Sequence, residues 1–268
     1  MIKVKNLTKY FWENKVLDNV SFEIKKGEIC GFIWENWAWK STTMRILSTL
    51  ILDYNWEVLI NWKKLNKNIE KTRQIIGFMP DQYGLYDEMT LWDYLDFFRI
   101  AYWFDSDIKK IKKVLKKVSL EDKINDKIWN LSRWMTQRIC LARALVTEPE
   151  ILILDEPASG LDPKLRIELK NLLLDLKAKW VTIFVSSHIL NELAEYCDSI
   201  IFIEWWKIKK SGKISELSEK QNNKTKLIQI DSDDFKKLEK ILKENKIKFS
   251  EIEYQNNLEE IYLDVMER

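Results

Sequence analysis

The segment Trp34-Glu35-Asn36-Trp37-Ala38-Trp39-Lys40-Ser41-Thr42 has the frame of a phosphate-binding loop, G-x-x-x-x-G-K-[ST], with tryptophan at both glycine positions. In such a loop glycine lets the backbone approach a pyrophosphate and turn its N–H groups inward, the lysine reaches the β- and γ-phosphates, and the hydroxyl meets Mg²⁺. Lys40, Ser41 and Thr42 are in place, while Trp34 and Trp39 hold the glycine positions. Indoles there would occupy phosphate space and would need the positive φ that costs a non-glycine residue roughly 1–2 kcal/mol. Taken literally, the loop is broken.

Composition offers an explanation. The chain has 6 glycines and 13 tryptophans in 268 residues, and reassigning all but one of the tryptophans would bring glycine to about 7%, its usual share. One hypothesis covers both imbalances: the source genome reads UGA as glycine, and the codon has been written here as tryptophan. A genuinely tryptophan-rich chain is the alternative.

Length allows one large domain, or a core domain with a small appendage. With 44 Lys+Arg against 42 Asp+Glu the net charge is +2, so no global footprint for nucleic acid or a membrane surface is expected. Cys30, Cys140 and Cys197 are scattered and lack metal-ligand spacing, which suits core thiols in a reducing cytosol. The N-terminus lacks the pattern of a secretory signal, and no apolar run approaches the 18 or so residues of a membrane span. Any work at a membrane therefore calls for a partner to hold the chain there.

Residues 2 to 33 read as strands running into the loop, with helical spacing from Lys40 to Leu50, the order a phosphate-binding loop needs. WEVLIN and IIGFMP are further short strands. From about Tyr86 to Val146 the pattern turns helical, including the lysine-rich amphipathic stretch Asp107 to Val118. The α/β rhythm returns with ILILDEP, a helix from Pro163 to about Lys179, VTIFVSSH, a helix through Glu195, and SIIFIE with a hairpin through Gly212. This alternation predicts a largely parallel sheet covered on both faces. Lys213 to Lys226 reads as a polar linker, followed by a small α+β unit.

Asp155 and Glu156 end an apolar strand, where one carboxylate can hold Mg²⁺ beside the Ser41 hydroxyl and the next can orient an attacking water. His188, the chain's one histidine, follows VTIFVSS at the sheet edge where ligands bind in open α/β folds.

These residues together resemble the ATP-binding subunit of ABC transporters over about residues 2 to 215. Leu131-Ser132-Arg133-Trp134-Met135 resembles that family's signature segment with Trp134 read as glycine, Ser159-Gly160-Leu161-Asp162 its D-loop, His188 its switch histidine, and Phe11 the aromatic that stacks on adenine. The family's Q-loop glutamine falls on Asp81, with Gln82 one residue later. The resemblance implies an α/β fold: a P-loop NTPase core of the ABC ATPase type with an antiparallel β subdomain and a helical subdomain at about 86–146, together spanning 1–215, then a small C-terminal α+β appendage at 216–268. It implies ATP and Mg²⁺ as cofactors, with Glu156 and His188 catalytic and Ser41 and Asp155 on the metal. Nucleotide contacts fall to Phe11, Trp34, Glu35, Asn36, Trp37, Ala38, Trp39, Lys40, Ser41, Thr42, Asp81, Gln82, Ser132, Trp134 and Asp162.

Implied partners are a membrane permease subunit and a second ATPase subunit, identical or homologous, with no nucleic acid. The location implied is cytoplasmic, peripheral on the inner face of the membrane through the permease. PDQYGLYDEMT, the signature form and the appendage are similar to ATPases of type-2 exporters. The alternatives are a soluble non-transport ABC ATPase and, if the tryptophans are genuine, a nucleotide-incompetent binding module. Trp34, Trp37, Trp39 and Trp134 fall on motif glycines, and Trp12, Trp56, Trp62, Trp180 and Trp206 at turns where the family often has glycine. Trp103, Trp129 and Trp205 fit less specifically, and Trp92, inside an apolar helix pattern, is expected to be genuine. Sequencing the gene should therefore show UGA at 34, 37, 39 and 134 and UGG at 92; UGG at 34, 37 and 39 refutes the recoding.

Overall fold

The computed structural model describes residues 1–34, 37–67, 69–82, 84–204 and 207–221, the side chains of 34, 37–39 and 218–221 excepted. In chain order, strands β1 (Ile2–Phe11), β2 (Asn14–Ile24) and β3 (Ile29–Trp34) lead into helix α1 (Trp37–Leu47). Then come β4 (Asn55–Ile60), β5 (Lys63–Lys64), α2 (Ile69–Ile75) and β6 (Ile76–Met79). Three helices follow, α3 (Leu91–Ala101), α4 (Ile108–Lys117) and α5 (Arg133–Leu145). The chain then alternates β7 (Ile151–Asp155), α6 (Pro163–Ala178), β8 (Thr182–Ser186), α7 (Leu190–Tyr196) and β9 (Ser199–Glu204), before β10 (Lys207–Lys213) and α8 (Ile214–Gln221).

Among the described residues two sheets result, an antiparallel one in the order β2-β1-β4-β5 and a six-stranded one in the order β10-β9-β3-β8-β7-β6. The second is parallel except for its edge strand β10. β7, β8 and β9 are buried at every residue, which explains why they read as continuous apolar runs without alternation. Alternation persists beneath that uniformity. Leu152, Leu154, Ile183, Val185, Ile200 and Phe202 enter the core shared with the helices, while Ile151, Ile153, Phe184, Ile201 and Ile203 enter the core shared with α1 and the antiparallel sheet. A period of two thus divides each strand between two cores.

Helices α3, α4 and α6 start on side-chain caps: Thr90 accepts from Asp93 N–H, Asp107 from Lys109 and Lys110, and Asp162 from Leu165, with Pro163 at the first position of α6. Arg99, buried in α3, donates to the carbonyls of Asp105 and Val146 and so ties α3 to the end of α5. α5 also lies close against β6. A Cβ on Gly77 would stand 1.9 Å from the Ala144 carbonyl oxygen, so glycine is required there.

Three local expectations change. α1 begins at Trp37, three residues before Lys40, and α2 was not foreseen. The stretch read as a linker from Lys213 begins instead with the end of β10 and helix α8, because Ile214 and Leu217 are buried in the helical core. The rest of the expected appendage, 222–268, lies outside the described residues. Among the described residues, no helix is long and apolar enough to cross a membrane.

Among the described residues, five tryptophans have positive φ: Trp12 (56°), Trp56 (84°), Trp62 (65°), Trp103 (63°) and Trp180 (63°). All five are exposed, so their indoles return little burial energy for the strain. Trp92, by contrast, lies within α3 and packs on the core. Replacing the five with glycine should raise the unfolding midpoint in denaturant, each contributing about 1 kcal/mol. An unchanged or lower midpoint contradicts the strain assigned to these positions.

Candidate functional site

The site lies at the carboxyl ends of β3, β7 and β8, the edge at which open α/β sheets bind ligands. β3 delivers the chain to α1, whose early turns carry Lys40 and Ser41. β7 ends on Asp155, which is paired in register with Ser186 at the end of β8.

Lys40 Nζ lies 2.5 Å from Glu156 Oε1 and 3.2 Å from Asp155 Oδ1, and all three residues are buried. The Ser41 hydroxyl donates to Asp155 Oδ2 at 2.8 Å, and the Ser186 hydroxyl donates to Asp155 Oδ1 at 2.8 Å. Ser186 Oγ also accepts from the Glu156 backbone N–H at 3.0 Å. His188 Nδ1 is 2.8 Å from Glu156 Oε2, leaving most of its ring exposed. Every carboxylate oxygen of the pair therefore has a partner, as buried charge requires. Glu156 itself has φ 52°, a strained conformation of the kind that accumulates at functional positions.

Asp81 is partly buried and Gln82 exposed. Burial, and then the nearby Asp155 carboxylate, push the Asp81 carboxyl above its usual range, with Glu156 adding to the shift and Lys40 opposing it. The electrostatics thus place Asp81 beside the cluster.

Other expected site residues occupy separate places. Ser132 caps α5, accepting from Met135 N–H, and the Arg138 guanidinium lies 4.8 Å from the Trp134 ring. Asp162 caps α6, Phe11 ends β1 with its ring part-exposed, and Thr42 is buried on α1. The backbone places Trp34 at the end of β3 and Trp37, Ala38 and Trp39 in the first turn of α1. Glu35, Asn36 and the side chains of 34 and 37–39 lie outside the described residues, and with them the expected crowding by indoles. Sequence reasoning missed two contributors: Ser186, signalled only by the hydroxyl pair before His188, and Gln137. The Gln137 amide donates to the Pro157 carbonyl at 2.5 Å, fastening α5 to the turn after Glu156.

Among the described residues no group of three His, Cys, Asp or Glu side chains could hold a metal by itself. A hydroxyl and one carboxylate do suit Mg²⁺, which takes few protein ligands and completes its shell with phosphate oxygens and water. Asp155 and Glu156 together outnumber the single Lys40 charge, and this excess also favours a cation.

The family model for "ABC transporter" matches residues 17–159. An uncharacterized ABC transporter ATP-binding protein of Methanocaldococcus jannaschii is 34% identical over 270 residues, covering 98% of both chains. The chain belongs to the ABC transporter family, as an ATP-binding subunit. This ABC ATPase is also 33% identical over 225 residues to an Escherichia coli protein described as a "probable multidrug ABC transporter ATP-binding protein", covering 83% of this chain and 39% of that one. Among solved structures, a dimeric bacterial ABC transporter cassette superposes with a TM-score of 0.72 at 29% identity, covering 80% of this chain and 98% of that one. Over the described residues the expected fold class is therefore the observed one.

A test of the electrostatics follows from Asp81. Its carboxyl is raised in the folded state, so ionising it disfavours folding once the pH exceeds the unfolded value. Asp81→Asn should therefore raise the thermal midpoint at pH 7 and leave it nearly unchanged at pH 3, where both states are protonated. An equal change at both pH values would refute this placement of Asp81.

Proposed function

We propose that this subunit hydrolyses ATP to power an ABC exporter, working as a pair of ATPase subunits held at a membrane permease. The observation that carries the proposal is the buried network of Lys40, Ser41, Asp155, Glu156 and His188 at the carboxyl ends of the parallel strands.

Lys40 and the backbone amides opening α1 bind the β- and γ-phosphates, drawing the ammonium from the two carboxylates. Ser41 and Asp155 would hold Mg²⁺, which when bound supplies charge neutralisation on the phosphate oxygens. Glu156 orients the attacking water as general base, and His188, already hydrogen-bonded to Glu156, fixes its carboxylate. Phe11 stacks on the base, and Asp81 takes the Q-loop position. Ser132 and residue 134 of a second subunit cap the γ-phosphate, so that two nucleotides close two chains together. The multidrug name of the E. coli relative and the motif forms support export as the direction.

We further propose glycine at positions 34, 37, 39 and 134 in the cellular protein, and at 12, 56, 62, 103 and 180. The deficit of glycine and the five positive φ values support this assignment.

Glu156→Gln in the glycine-containing protein should lower ATP turnover about 100-fold or more with ATP affinity retained, because it removes the base and keeps the shape. Unchanged turnover sinks the role of Glu156. The same binding assay on the chain as written should show weak ATP binding or none, and equal affinity in the two forms removes the case for glycine at the loop.

A further inference from the structure

β1 places a lysine where its residue pattern calls for an apolar side chain. Ile2, Val4 and Leu7 face the core that includes Met44, Ile46 and Leu47 of α1, and Lys9 follows them, buried to 5% exposure. Lysine is almost never buried to this extent without a partner. Lys9 has two: its Nζ lies 2.8 Å from Asp53 Oδ2 and 4.9 Å from the centroid of the Phe11 ring. Lys9 and Phe11 are two residues apart and share a face of the strand. Asp53 belongs to the segment between α1 and β4, with its side chain exposed.

The ammonium therefore joins the ring that ends β1 to the chain leaving α1, the helix whose early turns carry Lys40 and Ser41. We propose that Lys9 is a positioning residue for the nucleotide base, holding the Phe11 ring by a cation–π contact and, through Asp53, fixing that ring's distance from the phosphate-binding helix. This rests on the assignment of Phe11 as the base-stacking residue.

The geometry gives Lys9 a role distinct from general packing. A nucleoside triphosphate spans base and phosphate sites at a separation limited by its own covalent length. A ring free to drift weakens the grip on the base while the phosphates keep Lys40, Ser41 and the helix amides. The two grips can thus be separated by a ligand that has phosphates and no base.

Lys9→Met keeps the stem and removes the charge. In the full-length protein as its source translates it, this variant should raise the KM for ATP about fivefold with kcat within about twofold, on the scale of one cation–π contact. The inhibition constant of inorganic tripolyphosphate, which lacks a base, should not move. Lys9→Arg should restore the KM, since a guanidinium also lies over an aromatic face. Asp53→Asn, which leaves the lysine buried, should raise the KM by a smaller factor and serves if Lys9→Met does not fold.

Phe11→Ala separates this proposal from its premise. It should raise the KM for ATP at least as much as Lys9→Met, again without moving tripolyphosphate. An unchanged KM in Phe11→Ala overturns the stacking role itself. A raised KM in Phe11→Ala with unchanged KM in Lys9→Met, or with ATP and tripolyphosphate weakened equally, overturns the role of Lys9 alone.

Discussion

The Lys40 ammonium, buried between two adjacent carboxylates, is the interaction on which the rest of the site depends. Asp155 and Glu156 are consecutive and almost wholly withdrawn from water, so without a cation their mutual repulsion and desolvation would be severe. The lysine comes from a different layer of the fold, which means that α1 must lie at a fixed distance from the end of β7. Ser41 and His188 then take up the remaining oxygens, and Ser186 shares Asp155 Oδ1 with the lysine. The arrangement is satisfied yet holds more negative than positive charge, as suits a place where phosphate and a cation arrive together.

That distance is set by packing. The central strands send alternate residues into two cores, one shared with the helices and one with α1 and the antiparallel sheet. The sheet is consequently clamped from both sides, and its carboxyl edge becomes a rigid rim on which Asp155, Ser186 and the start of α1 keep register. Close approach at Gly77 brings α5 against the same sheet, and Gln137 carries that contact on to the turn after Glu156.

Much of this was legible in the chain because it depends on local chemistry. Lys40-Ser41, Asp155-Glu156 and His188 each end or begin an element whose residue pattern is plain, and the apolar runs of β7, β8 and β9 could hardly be anything other than buried strands. α8 escaped because only Ile214 and Leu217 mark its inner face among polar neighbours. Ser186 and Gln137 escaped for another reason: their value lies in partners 30 or 31 residues away for Ser186 and 20 for Gln137, and nothing in a serine or a glutamine announces which backbone atom it will meet. Nothing in the sequence distinguishes Lys9 from the chain's other lysines, and only its burial sets it apart. Asp81 and Gln82 are adjacent in sequence yet differ in burial, a contrast that only the fold displays.

The positive φ values at Trp12, Trp56, Trp62, Trp103 and Trp180 reach beyond stability. Four of these lie at turns and Trp56 within β4, and the elements around such positions impose their path, so the dihedral angles record what the topology demands of a position, whatever letter stands there. Backbone geometry can then serve as an audit of decoding. Where one bulky residue type repeatedly occupies the conformation that suits the smallest, the fold marks, codon by codon, which assignments in a genetic code to re-examine.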